Sequence, residues 1–337
     1  MSESQKQPKL NDLFEIATSK INSVMLEIAL DLDVFVKLKD KEVSLEEAGA
    51  LWGMPVTSAR VLGQYLCGMG LLRYENGKLS NAPLTRAYII DDPVGKVMIN
   101  TWQLFSKGSN LEEIKQKLMN PEPLLWYKIR DEDENPFDTK ASDSVYNESR
   151  QRWNILIGEG VAAEYDFTDH RLLLDIGGAI GGWCIGIRNH NPHLRCVVFD
   201  LPPVSEHAQR IISESEHAGH IDVVGGSFFS DELPEDVDVV LLANILHDWT
   251  VEDNREILRK ILHTLPAGGV LLVWEEFLED DWSGSVIPAT HAFSVLGSEG
   301  KSGWQPAYGE MESLLQEEGF VEVKRRTNLV IGKKSTN

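Results

Sequence analysis

The sequence predicts an α/β fold, with a parallel sheet covered by helices on both faces following a mostly helical first third. Two contrasting patterns carry this expectation. From residue 171 onward, apolar runs of strand length (RLLLDI, RCVVFD, IDVV, VDVVLLA, GVLLVWEE) alternate with helical stretches such as SEHAQRIISESEH and VEDNREILRKILHTL. Short apolar strands alternating with helices give parallel strands buried on both sides. Residues before about 90 instead carry apolar side chains at helical spacing and one hairpin signal.

The elements of the first third follow in order. LNDLFEIATSKINSVMLEIALDLDVF has helical periodicity. SLEEAGALWGM opens with Ser44 and has Glu47 three residues later, a capping-box start. After Pro55, VTSARVLGQYLCGMGLL is apolar on one face and ends near Gly70. LRYENGKLSNA then turns at Asn76-Gly77, a strong hairpin signal. Helix, helix, helix, hairpin is a winged-helix pattern. DNA binding does not follow from it, because the third helix carries a single basic residue, Arg60, among Val, Leu, Tyr, Cys and Met. A groove-reading helix needs several side chains for phosphates and bases. This helix reads as buried, in a packing or dimerisation role.

Composition narrows the function classes further. The chain has 337 residues, 42% hydrophobic and 25% charged, with a formal net charge of −21. That charge opposes attraction to nucleic acid or anionic lipid. No apolar run is long enough to span a bilayer, and MSESQKQPKLND lacks a signal-peptide core, so a cytoplasmic location is expected. Cys67, Cys184 and Cys196 show no CxxC spacing and read as reduced thiols. The domains expected are 1–120, helical; 121–165, a connector with Pro121, Pro123, Pro136 and the acidic run 131–134; and 166–337, the sheet. The connector reads as solvated chain or as a lid over the site.

In such sheets, ligands bind beyond the carboxyl ends of the strands, and the residues there are the candidates. LLLDIGGAIGG ends the first strand with Asp175, Gly177, Gly178 and Gly181, glycines that let backbone approach a ligand closely. Asp200 ends the second strand 25 positions after Asp175, where an acidic residue can hold ribose hydroxyls. Together these favour a nucleoside-containing cofactor, although GGAIGG does not match the dinucleotide pattern GxGxxG. In VVGGSFFSDELP, Ser227 and Phe228 either flank an adenine or form a loop burying its own phenylalanines. The fourth strand, VDVVLLANIL, runs into His247-Asp248-Trp249, and the fifth delivers Glu275 and Glu276 to the same edge. A carboxylate near an imidazole fixes its tautomer and supports its protonated form, as a general base requires. The histidine pairs of HNPH (190–193) and HAGH (217–220) fall away from that edge, and no metal is expected.

The segments LLLDIGGAIGG, VVFDLPPV, GGSFF, ILHDWTVEDNREILRKILHTLPAGGVLLVWEE and GEMESLLQEEGF together resemble the S-adenosylmethionine-dependent small-molecule O-methyltransferases. That group includes plant caffeic acid O-methyltransferase and bacterial enzymes that tailor natural products. The resemblance covers nearly the whole chain. It implies a Rossmann-like class I methyltransferase sheet closed by a final strand pair in VEVKRRTNLVIG, behind a winged-helix dimerisation domain. It also implies a homodimer and methyl transfer to a phenolic hydroxyl of an aromatic or polyketide-like metabolite. Asp175, Gly177, Gly178 and Gly181 would then cradle the cofactor's amino-acid end. Asp200 would hold the ribose, Leu201, Ser227 and Phe228 would border the adenine, and Trp249 would close over it. His247 matches the family's base and Glu275 its brace. Trp102, Gln103, Trp153, Asn244, Asp248 and Trp304 are candidates to line the acceptor pocket. The chain departs from the family at Ala179, where a glycine is usual, at Ser227, where plant enzymes have aspartate, and at Gln305, aligned with a second bracing glutamate. Nitrogen or carbon acceptors, or a non-methylating reaction such as hydroxylation or pericyclic ring formation on the same cofactor, are the alternative outcomes.

Overall fold

The structure, a computed structural model, describes residues 10–92, 94–96, 99, 111–121, 148–297 and 303–336. Contacts divide the chain into two units, Met1–Gln103 and Leu104–Asn337.

In the first unit α1 (Leu10–Asp31), α2 (Val34–Leu38), α3 (Leu45–Trp52) and α4 (Val56–Gly68) precede a hairpin of β1 (Leu72–Glu75) and β2 (Lys78–Asn81). The expected capping box closes: Ser44 Oγ accepts from the Glu47 amide, and Glu47 accepts from the Ser44 amide at 2.7 Å. The hairpin turns at Asn76 and Gly77, both at positive φ, as a tight two-residue loop requires. Val43 and Leu79 exchange backbone bonds, adding one more rung. Phe35, Leu38, Trp52, Leu62, Leu66 and Leu79 form the core. The third large helix, α4, is less buried than expected. Ala59, Leu62, Gly63 and Leu66 face inward, whereas Arg60 and Val61 are exposed. Its helical period puts only one stripe on the core.

The second unit contains α5 (Leu111–Met119) and α6 (Glu148–Glu164), then an alternating βα chain: β3 (Leu172–Ile176), α7 (Gly182–His190), β4 (Arg195–Asp200), α8 (Pro202–Ser213), β5 (Ile221–Gly225), β6 (Val239–Ala243), α9 (Val251–Thr264), β7 (Val270–Trp274), α10 (Ile287–Ser294), α11 (Tyr308–Glu317), β8 (Val321–Arg326) and β9 (Leu329–Lys333). The strands order as β5-β4-β3-β6-β7-β9-β8. The first five are parallel, and the final pair is antiparallel. Both sheet faces are buried. Leu174, Ile176, Val240, Leu242, Leu271 and Val273 pack with Ile257, Leu258 and Met311 on one side. Leu173, Cys196, Val198, Leu241 and Leu272 pack with Trp183, Ile187 and Ile212 on the other. Two buried faces explain why these strands read as unbroken apolar runs.

The strand order reverses between β3 and β6, so the loops after β3, β4, β6 and β7 meet at one edge. Among the described residues no helix is long and apolar enough to cross a membrane.

Candidate active site

The fourth strand ends where Asn244 takes a left-handed φ of 55°, a conformation that Asn tolerates better than most residues. A 3₁₀ turn, Leu246–Asp248, follows. Its amides wrap around one carboxylate from the next strand: Glu275 Oε1 accepts from the backbone N–H groups of Ile245, Leu246 and His247 at 3.2, 3.1 and 3.4 Å. Consecutive amides converging in this way form an anion-binding nest. The other oxygen, Oε2, lies 2.5 Å from His247 Nδ1. Glu275 is fully buried and His247 nearly so. A buried carboxylate needs this many partners to offset its lost hydration.

The turn is held from three sides. Asn254 donates to the Leu246 carbonyl at 2.9 Å. Thr250 and Asp253 form a capping box that starts α9 directly after Trp249. The Trp304 amide donates to the His247 carbonyl at 2.8 Å. A side chain at Gly303 would collide with that carbonyl and with Val295. Asp248 Oδ1 sits 3.5 Å from His247 Nε2, so the imidazole has a carboxylate at each nitrogen.

At the β3 tip, Gly177 and Gly181 adopt φ of 70° and 80°, and Ala179 a φ of 48°. Cys184 reaches Asp175 Oδ2 from α7 at 3.5 Å, while Asp175 Oδ1 is buried without a hydrogen-bond partner. Burial pushes the Asp175 carboxyl up to about 7, against the opposing bond from Cys184. Asp200 accepts from the amides of Ala179 and Leu201 at 2.8 and 2.7 Å. Burial still pushes it up to about 6. A buried carboxyl with an unpartnered oxygen and a half-buried one, both beside a glycine turn, suit a ligand that brings donors and positive charge.

Ser227 and Phe228 lie in the loop after β5. The Ser227 amide donates to Asp231 and its hydroxyl accepts from Phe229. Trp249 is buried edge-on against Phe228 and Phe229, at ring-centroid distances of 5.8 and 4.8 Å.

Asn244, His247, Asp248, Trp249 and Glu275 therefore gather at the β6 and β7 tips, and Asp175, Gly177, Gly178, Gly181, Asp200 and Leu201 at the β3 and β4 tips. Trp153 is partly buried on α6. Trp304 lines an open cleft of about 520 Å³ with Trp282, Arg255, Asp280 and Glu317, a set that does not include His247. Trp102 and Gln103 lie outside the described residues. Gln305 does not reach the imidazole as its alignment suggested; its amide donates to the Glu276 carbonyl at 2.6 Å. Among the described residues His291 of α10 does face His247, ring edge to ring face, with centroids 5.9 Å apart. Nothing local in IPATHAFS marks that contact. The Thr250-Asp253 support has a local signal in TVED, a capping-box pattern, whereas nothing local marks the bond from Asn254.

Residues 132–321 match the family model of the O-methyltransferase domain. The 3-hydroxy-5-methyl-1-naphthoate 3-O-methyltransferase of Streptomyces sahachiroi is 28% identical over 84% of this chain and 82% of its own. The tetracenomycin polyketide synthesis 8-O-methyl transferase TcmO of Streptomyces glaucescens is 26% identical over 95% and 94%. The crystal structure of the S-adenosylmethionine-dependent methyltransferase SibL in its apo form superposes with a TM-score of 0.80 over 97% of this chain and 100% of that one, at 23% identity. At that identity the likeness speaks for the fold.

Proposed function

The chain belongs to the O-methyltransferase domain family, and from that premise we propose that it moves a methyl group from S-adenosylmethionine to a phenolic hydroxyl of a small aromatic or polyketide-like metabolite, with His247 as general base. The observation that carries the reading is the 2.5 Å contact of His247 Nδ1 with the buried Glu275. A carboxylate only accepts, so Nδ1 donates and Nε2 is left to take a proton. The cofactor, when bound, supplies a methyl group on a sulfonium that needs no further activation. The chain's own task is to bind, align and remove one proton.

Asp175 and the glycine turn would hold the amino-acid end of the cofactor, with the unpartnered Asp175 oxygen suited to an ammonium group. Asp200 and Leu201 would take the ribose, and Ser227, Phe228 and Trp249 the adenine. Trp102, Gln103, Trp153, Asn244, Asp248 and Trp304 are the proposed acceptor residues. A phenol with a pKa near 10 is a poor nucleophile until deprotonated. His247, taking that proton as the new bond forms, would contribute roughly 10²–10⁴-fold. The imidazolium formed would lie between Glu275 and Asp248, whose charges stabilise it. Holding the two reactants in line would account for a further barrier reduction of about 7–11 kcal/mol.

The test is His247→Ala. Methyl transfer to phenolic acceptors is expected to fall by roughly 10²–10⁴-fold, with calorimetric affinity for S-adenosylhomocysteine within a few-fold of the wild type. A variant that keeps most of its turnover removes His247 from the base role.

A further inference from the structure

We infer that Lys260 is a positioning residue for the cofactor's adenine: from α9 its ammonium holds, by two backbone carbonyls, the loop after β5 against which the base would lie. This inference rests on the reading of Ser227 and Phe228 as neighbours of the adenine.

The first argument is placement. The loop over residues 226–231 satisfies its own amides. The Ser227 amide donates to the Asp231 carboxylate at 2.8 Å, the Phe229 amide to the Ser227 hydroxyl at 3.3 Å, and the Asp231 amide to the Ser227 carbonyl at 2.8 Å. The Gly226 amide donates to the Asp200 carbonyl at 2.9 Å, tying the start of the loop to the residue proposed for the ribose. Two of the loop's carbonyls turn to α9 instead. Lys260, partly buried in the third turn of that helix, donates to the Phe228 carbonyl at 3.0 Å and also to the Asp231 carbonyl. A second hold is aromatic, since Trp249, just before α9, packs edge-on against Phe228 and Phe229. The helix is itself registered to the His247 turn by Asn254, which donates to the Leu246 carbonyl at 2.9 Å. Asn254 and Lys260 lie about 9 Å apart along one rigid axis. One helix therefore fixes the adenine loop and the His247 turn together.

The second argument is chemical. The Ser227 hydroxyl accepts from the Phe229 amide and the Ser230 hydroxyl donates to Asp231, so both are engaged within the loop. Affinity for the base then depends on where the loop places its backbone and the Phe228 ring. An ammonium suits that task. It has three donors and no acceptor, and hydrogen bonds from a charged donor are stronger than neutral ones. Two carbonyls held by one cation cannot shift independently.

The competing account is that Lys260 only braces the fold. Lys260→Met keeps the stem and deletes the ammonium, and Lys260→Arg returns a cation with several donors. Calorimetry would compare S-adenosylhomocysteine with 5′-methylthioadenosine, which lacks the amino-acid end, and with S-ribosylhomocysteine, which lacks the base. In Lys260→Met the first two are expected to weaken by the same factor, at least about tenfold, the size of one lost charge-assisted bond. S-ribosylhomocysteine should bind as it does to wild type, and Lys260→Arg should return the other two to within a few-fold. KM for S-adenosylmethionine should rise with those losses while kcat holds. Unchanged affinity for S-adenosylhomocysteine in Lys260→Met, an equal loss for all three ligands, or no recovery in Lys260→Arg would overturn the inference. Where S-ribosylhomocysteine binds too weakly to titrate, equal losses for the other two at constant kcat support it, and a loss confined to S-adenosylhomocysteine overturns it. If Lys260→Met fails to fold, Lys260→Gln, which carries a neutral donor, is read by the same comparisons. A wild type that binds none of the three overturns the cofactor reading itself, whereas binding by wild type with no loss in the variant overturns only the role of Lys260.

Discussion

The cofactor role proposed for Asp175 would tie the pH dependence of this protein to its ligand. Burial raises its carboxyl to about 7 and that of Asp200 to about 6, so folding favours their protonated forms. Their contribution to stability is complete below the ordinary carboxyl range and is lost as pH rises through about 6 and then about 7. A cationic ligand at Asp175 has the opposite preference, for the charged form. Cofactor affinity should therefore increase as pH rises from 5 to 8, with proton release on binding, measurable by calorimetry in buffers of different ionisation heat. Asp175→Asn should flatten both dependences and raise the melting temperature at pH 8 relative to wild type. At the other strand tip, Glu275→Gln retains shape and removes charge. Its amide oxygen can still accept from the three turn amides, but its N–H₂ then faces Nδ1 and forces the proton to Nε2. The imidazole would be in the wrong tautomer to accept, and turnover should fall by roughly 10²–10⁴-fold, as for removal of the base itself. Rates on a phenolic acceptor, with S-adenosylhomocysteine affinity as the folding control, check this.

At the scale of elements, the glycine turn separates two substitutions that look equally mild. A Cβ at Gly178 would sit 2.6 Å from Asp175 Oδ2, so Gly178→Ala should displace the carboxylate and weaken cofactor binding at least about tenfold, roughly the loss of one charge-assisted bond. Ala179 already bears a Cβ in a left-handed conformation costing roughly 1–2 kcal/mol. Ala179→Gly relieves that strain but loses about 0.5–1 kcal/mol to chain entropy, so melting temperature and affinity should move little. Titration of the two variants side by side distinguishes them. The same elements show what a sequence can disclose. Strands β3, β4, β6 and β7 were legible because both faces are buried, and the Asn76-Gly77 hairpin because φ above zero selects those residues. The sheet rule brought His247 and Glu275 to one edge without knowledge of their 2.5 Å contact. His291 was not legible, since a contact between α10 and the turn after β6 depends on tertiary packing that leaves no local pattern. Gln305 misled for the same reason: alignment gives a position, whereas the bond to the Glu276 carbonyl depends on how that loop lies.

For the whole molecule, the expected homodimer would rest on an apolar stripe of the first unit. Helix α1 sends Met25, Leu26, Ala29 and Leu30 into its own core, yet Ile21, Val24 and Ile28 remain 39%, 38% and 38% exposed. Their spacing of three and four residues sets them in one stripe along the helix. Isolated apolar residues on a surface are ordinary, but a continuous stripe marks an interaction face. Two copies related by a twofold axis would present the same stripe to each other, the arrangement that closes without leaving a free face. Light scattering after gel filtration should then give about twice the 37.8 kDa chain mass. The dimer should persist in 1 M salt, because apolar burial is not screened as surface charge pairing is. Val24→Glu with Ile28→Glu would bring like charges together across the axis and should yield monomer with an unchanged affinity for S-adenosylhomocysteine, since every proposed cofactor residue lies in the second unit. A wild-type chain that runs as a monomer at all concentrations, or a double variant that remains dimeric, would assign the stripe to some other contact.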